Sequence, residues 1–70
     1  MRNSQLEETL TKALDTYDLM MDDIRSAYKM AVDGGDNFAS EYLVLVIERA
    51  VETGKMLSCV TIASQAAAED

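Results

Sequence analysis

Carboxylates are the only abundant reactive side chains in this sequence, which contains 13 Asp and Glu residues and no histidine. Asp15, Asp18 and Asp22 are spaced so that they share one face of a helix. Paired carboxylates serve as general acid and general base only where burial or a neighbouring charge separates their pKa values. The helix face that carries these three residues is polar, so we expect them to lie in water and to perform no chemistry.

The other candidates for metal or nucleophile chemistry fit no known type of site. The segment 33–37, Asp-Gly-Gly-Asp-Asn, lacks the alternating ligands and the terminal bidentate Glu of a calcium loop. Its two glycines are not followed by the Lys-Ser/Thr pair of a phosphate-binding loop. Cys59 is a lone thiol without a histidine, which is typical of a small apolar residue and not of a nucleophile or a zinc site. The sequence therefore predicts no enzyme activity, no metal and no cofactor.

Charge and composition exclude several kinds of partner. The formal net charge of −7 at pH 7 disfavours binding to nucleic-acid phosphates and to anionic membranes. No apolar run approaches the ~20 residues that span a bilayer. The residues Met1 to Ser4 lead directly into a polar helix pattern, so we expect no signal peptide. Together with the single Cys59, which fits a reducing compartment, these features predict a soluble cytoplasmic protein that binds neither nucleic acid nor membrane.

The first half of the chain has the pattern of a long amphipathic helix. Ser4 followed by Glu7 forms a capping box and predicts a helix over about 4–32. Apolar residues then alternate at spacings of four and three, the period of a coiled-coil seam. The seam predicted for this helix consists of Leu6, Leu10, Ala13, Tyr17, Met20, Ile24, Ala27 and Ala31. Leu14, Met21 and Tyr28 form a second row beside it, so the apolar stripe is wide enough for two neighbours.

The second half repeats this pattern after one short break. Gly34 and Gly35 predict a turn over 33–37, and Asp36 or Asn37 would cap a second helix over about 38–67. Because the turn is short, the two helices should be antiparallel neighbours. The seam predicted for the second helix consists of Leu43, Val46, Ala50, Thr53, Leu57, Val60, Ser64 and Ala67.

The predicted fold is an all-α, antiparallel two-helix hairpin that forms a single domain over residues 1–70. A lone hairpin of this size encloses no core, and the chain has neither disulfide nor metal to stabilise it. The second helix also carries more apolar surface than the first can cover. We therefore expect a partner chain or self-association to complete the fold.

Two parts of the sequence resemble a known family. The opening Ser-Gln-Leu-Glu-Glu-Thr-Leu, residues 4–10, and the Gly-Gly-Asp turn at 34–36, followed by Tyr42, are similar to the YscE-type small co-chaperones of type III secretion. The resemblance covers nearly the whole chain in length and layout. It implies a helical hairpin that pairs with a tetratricopeptide-like chaperone, so that the needle subunit stays monomeric in the bacterial cytosol before export.

The sequence leaves two functional hypotheses. The first is this co-chaperone, which would stabilise its helical-repeat partner by burying residues of its helix faces. The alternative is a homodimeric four-helix bundle that acts as a regulator or as a phage-type inhibitor by protein–protein contact. The residues expected to contact a partner are Leu14, Met21, Ile24, Tyr28, Tyr42 and Met56.

Overall fold

The computed structural model describes the backbone of residues 4–68 and the side chains of residues 4–66. It consists of α1, Ser4–Asp33, and α2, Asn37–Ala68, and the described residues contain no strand. The two helices pack along one another. The predicted all-α helical hairpin is therefore confirmed. No helix within the described residues is long and apolar enough to cross a membrane.

The turn is built by glycine and by one capping aspartate. The Asp36 amide donates to the Ala31 carbonyl at 2.9 Å, and the Gly35 amide donates to the Val32 carbonyl at 3.1 Å. Gly35 has a φ of 72°, so these bonds form a Schellman motif with glycine in the left-handed position. The Asp36 carboxylate then accepts from the Ala39 amide at 3.0 Å, which makes Asp36 the N-cap of α2. One residue thus both closes the end of α1 and starts α2.

The two helices pack along a seam that agrees only in part with the predicted one. At about half of the seam positions, the residue in contact is the one that follows the predicted residue in the sequence. Seven residues of each helix form this hairpin seam, again at alternating spacings of three and four. In α1 they are Leu10, Leu14, Tyr17, Met21, Ile24, Tyr28 and Ala31; in α2 they are Leu43, Ile47, Ala50, Gly54, Leu57, Thr61 and Ser64. The prediction placed Leu14, Met21 and Tyr28 beside the seam. This was wrong, because all three residues lie in the hairpin seam.

Large residues that belong to the predicted seam but not to the hairpin seam face solvent. Met20, which the sequence placed in the seam, is 44% exposed, whereas the neighbouring Met21 is only 4% exposed. Val46 and Val60 of α2, also placed in the seam, are 44% and 51% exposed. Leu14 and Tyr28 bury more apolar area than Ala13 and Ala27 of the predicted row. This difference explains why α1 turns the second row toward α2. The side chain of Ala67 lies outside the described residues.

Tyr17 and Gly54 fix how the helices approach one another. The Tyr17 hydroxyl donates to the Ala50 carbonyl at 2.7 Å, across the hairpin. Gly54 lies one turn further along α2, where a Cβ would stand only 2.5 Å from Tyr17 Cζ. The missing side chain therefore makes room for the phenol ring. Its cost of about 1 kcal/mol in helix propensity is offset by this packing and hydrogen bond.

The hairpin is a single layer of two helices and has almost no interior. Within the described residues, the buried side chains are Met21, Ala50 and Thr61. The radius of gyration is 16.0 Å, whereas a compact domain of this length would have about 11 Å. The exposed surface is 5476 Å², compared with about 4,300 Å² for a compact monomer of this mass. The helices therefore leave a large surface uncovered.

Candidate protein-binding face

The two broad sides of the hairpin can be distinguished by their position relative to the seam. Asp18 and Arg25 each follow a seam residue of α1, and Val51 and Ser58 each follow a seam residue of α2. All four line one shallow groove, so residues that follow the seam share one side of the hairpin. We call this side the groove face.

The other side is formed by the residues that precede the seam. Each helix advances 100° per residue, so these residues lie opposite the groove face in both helices. We call this side the open apolar face. In α1 it consists of Thr9, Ala13, Thr16, Met20, Asp23, Ala27 and Met30; in α2 it consists of Tyr42, Val46, Arg49, Thr53, Met56, Val60 and Ala63.

The open apolar face exposes large side chains along its whole length. Met20 is 44% exposed, Met30 73%, Tyr42 57% and Met56 61%. Tyr42 is extended at the loop end by Phe38, whose ring centroid lies 4.6 Å away. Single exposed apolar residues are ordinary on a protein surface, but a continuous patch of them marks an interaction site.

The threonines of this face have already satisfied their hydroxyl donors. Thr9 donates to the Gln5 carbonyl at 2.8 Å, Thr16 donates to the Lys12 carbonyl at 2.9 Å, and Thr53 donates to a carbonyl of its own helix at 3.1 Å. Burial of an unpaired hydroxyl costs free energy, and these internal bonds remove that cost. The open apolar face can therefore be covered by another chain without leaving these donors unpaired.

The two sides of the hairpin also differ in their number of charged residues. The open apolar face carries two charged residues, Asp23 and Arg49, of opposite sign. The residues that follow the seam include seven charged ones, which are Asp15, Asp18, Asp22, Arg25, Lys29, Glu48 and Lys55. Charges are depleted at the centre of protein interfaces, so the open apolar face is the one suited to contact with another protein.

The reactive groups singled out in the sequence lie on or near the polar side. Asp15, Asp18 and Asp22 are all exposed, as the helix pattern predicted. Cys59 is also exposed, and it lies at the edge of the groove beside Lys55. Within the described residues, no group of three or more His, Cys, Asp and Glu side chains is arranged to hold a metal ion.

The residues predicted to contact a partner fall into two groups. Tyr42 and Met56 lie on the open apolar face and are more than half exposed. The other four belong to the hairpin seam, where Met21 is buried and Leu14, Ile24 and Tyr28 are half-buried. The structure places the Met21 side chain between the two helices. Its substitution would disturb the hairpin itself.

The sequence interpretation missed Met20, Val46 and Val60 as surface residues. All three precede a seam residue, and the predicted seam combined half of the hairpin seam with half of the open apolar face. The signal for the correct rotation was the size of the second row of α1, since Leu14 and Tyr28 are larger than Ala13 and Ala27 of the predicted row. Helix periodicity alone gives no preference between the two rows.

Comparisons with known proteins find no matching protein family, no similar curated protein and no similar solved structure.

Proposed function

We propose that this protein is a non-catalytic binding subunit, a small co-chaperone of the YscE type that stabilises a tetratricopeptide-like chaperone in type III secretion. One observation carries the proposal: the open apolar face has fourteen positions, of which two are charged. A helical-repeat protein presents grooves lined by helices, and an amphipathic helix pair binds such a groove through its apolar face.

The mechanism is linkage between binding and folding. A subunit that binds only the folded chaperone stabilises it by RT ln(1 + [L]/Kd), or about 2.7 kcal/mol at a concentration 100-fold above Kd. The chaperone, held folded in this way, would keep the needle subunit monomeric in the cytoplasm before export. Tyr42 and Met56 would contribute to this contact directly, whereas Leu14, Met21, Ile24 and Tyr28 would shape the hairpin that presents them.

The test is affinity purification of the tagged chain from its native host, with the bound proteins identified by mass spectrometry. Met56 and Ile62 provide a matched pair, since both are exposed apolar residues of α2 and they lie on opposite sides of the hairpin. We expect a helical-repeat chaperone and a needle-like subunit to be recovered with the parent and with Ile62→Glu, and to be lost with Met56→Glu.

Two results would contradict the proposal. Absence of any helical-repeat protein from the parent sample would remove the co-chaperone assignment. Equal recovery with Met56→Glu and with the parent would show that the open apolar face is not the binding surface.

A further inference from the structure

The area left uncovered on this hairpin is comparable to what a dimer requires. The chain exposes roughly 1,200 Å² more than a compact monomer of its mass, whereas a standard protein interface covers about 800 Å² on each partner. A second hairpin would place two more helices on the open apolar face and create the enclosed core that a single copy lacks.

The two charges of the open apolar face suggest how a second copy would be oriented. Asp23 is the single charged residue that α1 contributes to this face, and Arg49 is the single one from α2. Neither has an ion-pair partner among the described residues of the chain. If α1 packed on α1 of a second copy, no basic residue of that face would meet Asp23. If α1 packs on α2 of the second copy, Asp23 and Arg49 meet twice across a two-fold axis.

The heights of Asp23 and Arg49 along the helix axes agree with the packing of α1 on α2 of the second copy. The contact between Tyr17 and Gly54 fixes which residues of α1 and α2 lie at the same height. A two-fold axis parallel to the helices preserves these heights, so Asp23 would lie within about one helical turn of Arg49 in the second copy.

The side-chain sizes are complementary in the same arrangement. Within about half a helical turn in height, Ala27 would face Tyr42 of the second copy, and Ala13 would face Met56. Small residues thus lie opposite large ones at two levels of the interface. Alternation of small and large side chains allows facing helices to interdigitate.

We propose that the open apolar face is covered by the same face of a second copy of this chain, with α1 of each copy on α2 of the other. The result is a homodimeric four-helix bundle in which all neighbouring helices are antiparallel. The inference does not depend on the co-chaperone role. If both are correct, the homodimer and the complex with the chaperone use the same face and exclude one another.

The experiment measures the dimer dissociation constant of the purified full-length chain by sedimentation equilibrium. We expect the parent to dimerise, and Arg49→Glu to weaken dimerisation roughly tenfold because two symmetry-related attractive pairs become repulsive. Asp23→Arg should have a similar effect, and the double variant should restore the parent value. Lys55→Glu is the matched control, since it makes the same charge change in α2 outside the open apolar face and should leave the constant within about twofold.

Each other outcome overturns the arrangement. A parent that stays monomeric shows that no second copy covers the face, and leaves the binding role proposed above to be judged by its own test. Failure of the double variant to recover shows that Asp23 and Arg49 do not meet. An equal effect of Lys55→Glu shows that dimerisation responds to net charge and not to this face.

Discussion

Replacement of Gly54 by alanine tests the packing that sets the hairpin seam. Alanine is the best helix former, and in an exposed helix interior this change would stabilise the protein by about 1 kcal/mol. Here, the new Cβ would stand 2.5 Å from Tyr17 Cζ and 2.8 Å from Cε1, closer than any ordinary contact. The ring would have to swing out of its place between the helices.

The cost of moving the ring can be estimated from two contributions. Loss of the hydrogen bond from Tyr17 to the Ala50 carbonyl contributes about 1 kcal/mol, and partial exposure of the half-buried ring contributes about 1–2 kcal/mol. After the propensity gain of about 1 kcal/mol, Gly54→Ala should be less stable than the parent by about 1–2 kcal/mol. The corresponding decrease in Tm is on the order of 5–10 °C for a domain of this size.

Thermal unfolding followed by circular dichroism, at one fixed protein concentration, measures this difference. The decisive comparison is the same substitution in a Tyr17→Ala background. With the ring absent, only the propensity term remains, so Gly54→Ala should then stabilise the chain by about 1 kcal/mol. A parent-like or higher stability of Gly54→Ala in the original background would refute the reasoning, as would an equal loss in both backgrounds.

Three further predictions follow from the turn and the two rows of α1. Gly35→Ala should cost about 1–2 kcal/mol because an L side chain is strained at a φ of 72°, and Gly35→Asn should cost less, as measured by urea unfolding. Asp36→Ala should cost about 1 kcal/mol by the same measurement, since it removes the cap of the Ala39 amide; an unchanged midpoint would exclude this capping role. Met21→Glu should unfold the hairpin and Met20→Glu should leave it helical while weakening association, as followed by circular dichroism and sedimentation, because Met21 is 4% exposed and Met20 is 44% exposed.

Local interactions account for the parts of the fold that the sequence determined. The two helices, the short turn and the antiparallel hairpin follow from apolar periodicity, from Gly35 in the left-handed position and from Asp36 as a cap. Each of these signals acts over a few residues, so a linear pattern is sufficient to identify it. Solvent exposure of Asp15, Asp18 and Asp22 follows in the same way from their place on the polar stripe of α1.

The rotation of each helix was decided only in the tertiary structure. The apolar stripe of each helix is wider than one seam, and a stripe of that width fits the hairpin in two rotations that differ by one residue in every other position. The choice depends on contacts between residues far apart in the chain, above all the ring of Tyr17 against the bare backbone at Gly54. That choice placed Met21 inside and Met20 outside, and so determined which apolar residues remain available to a partner.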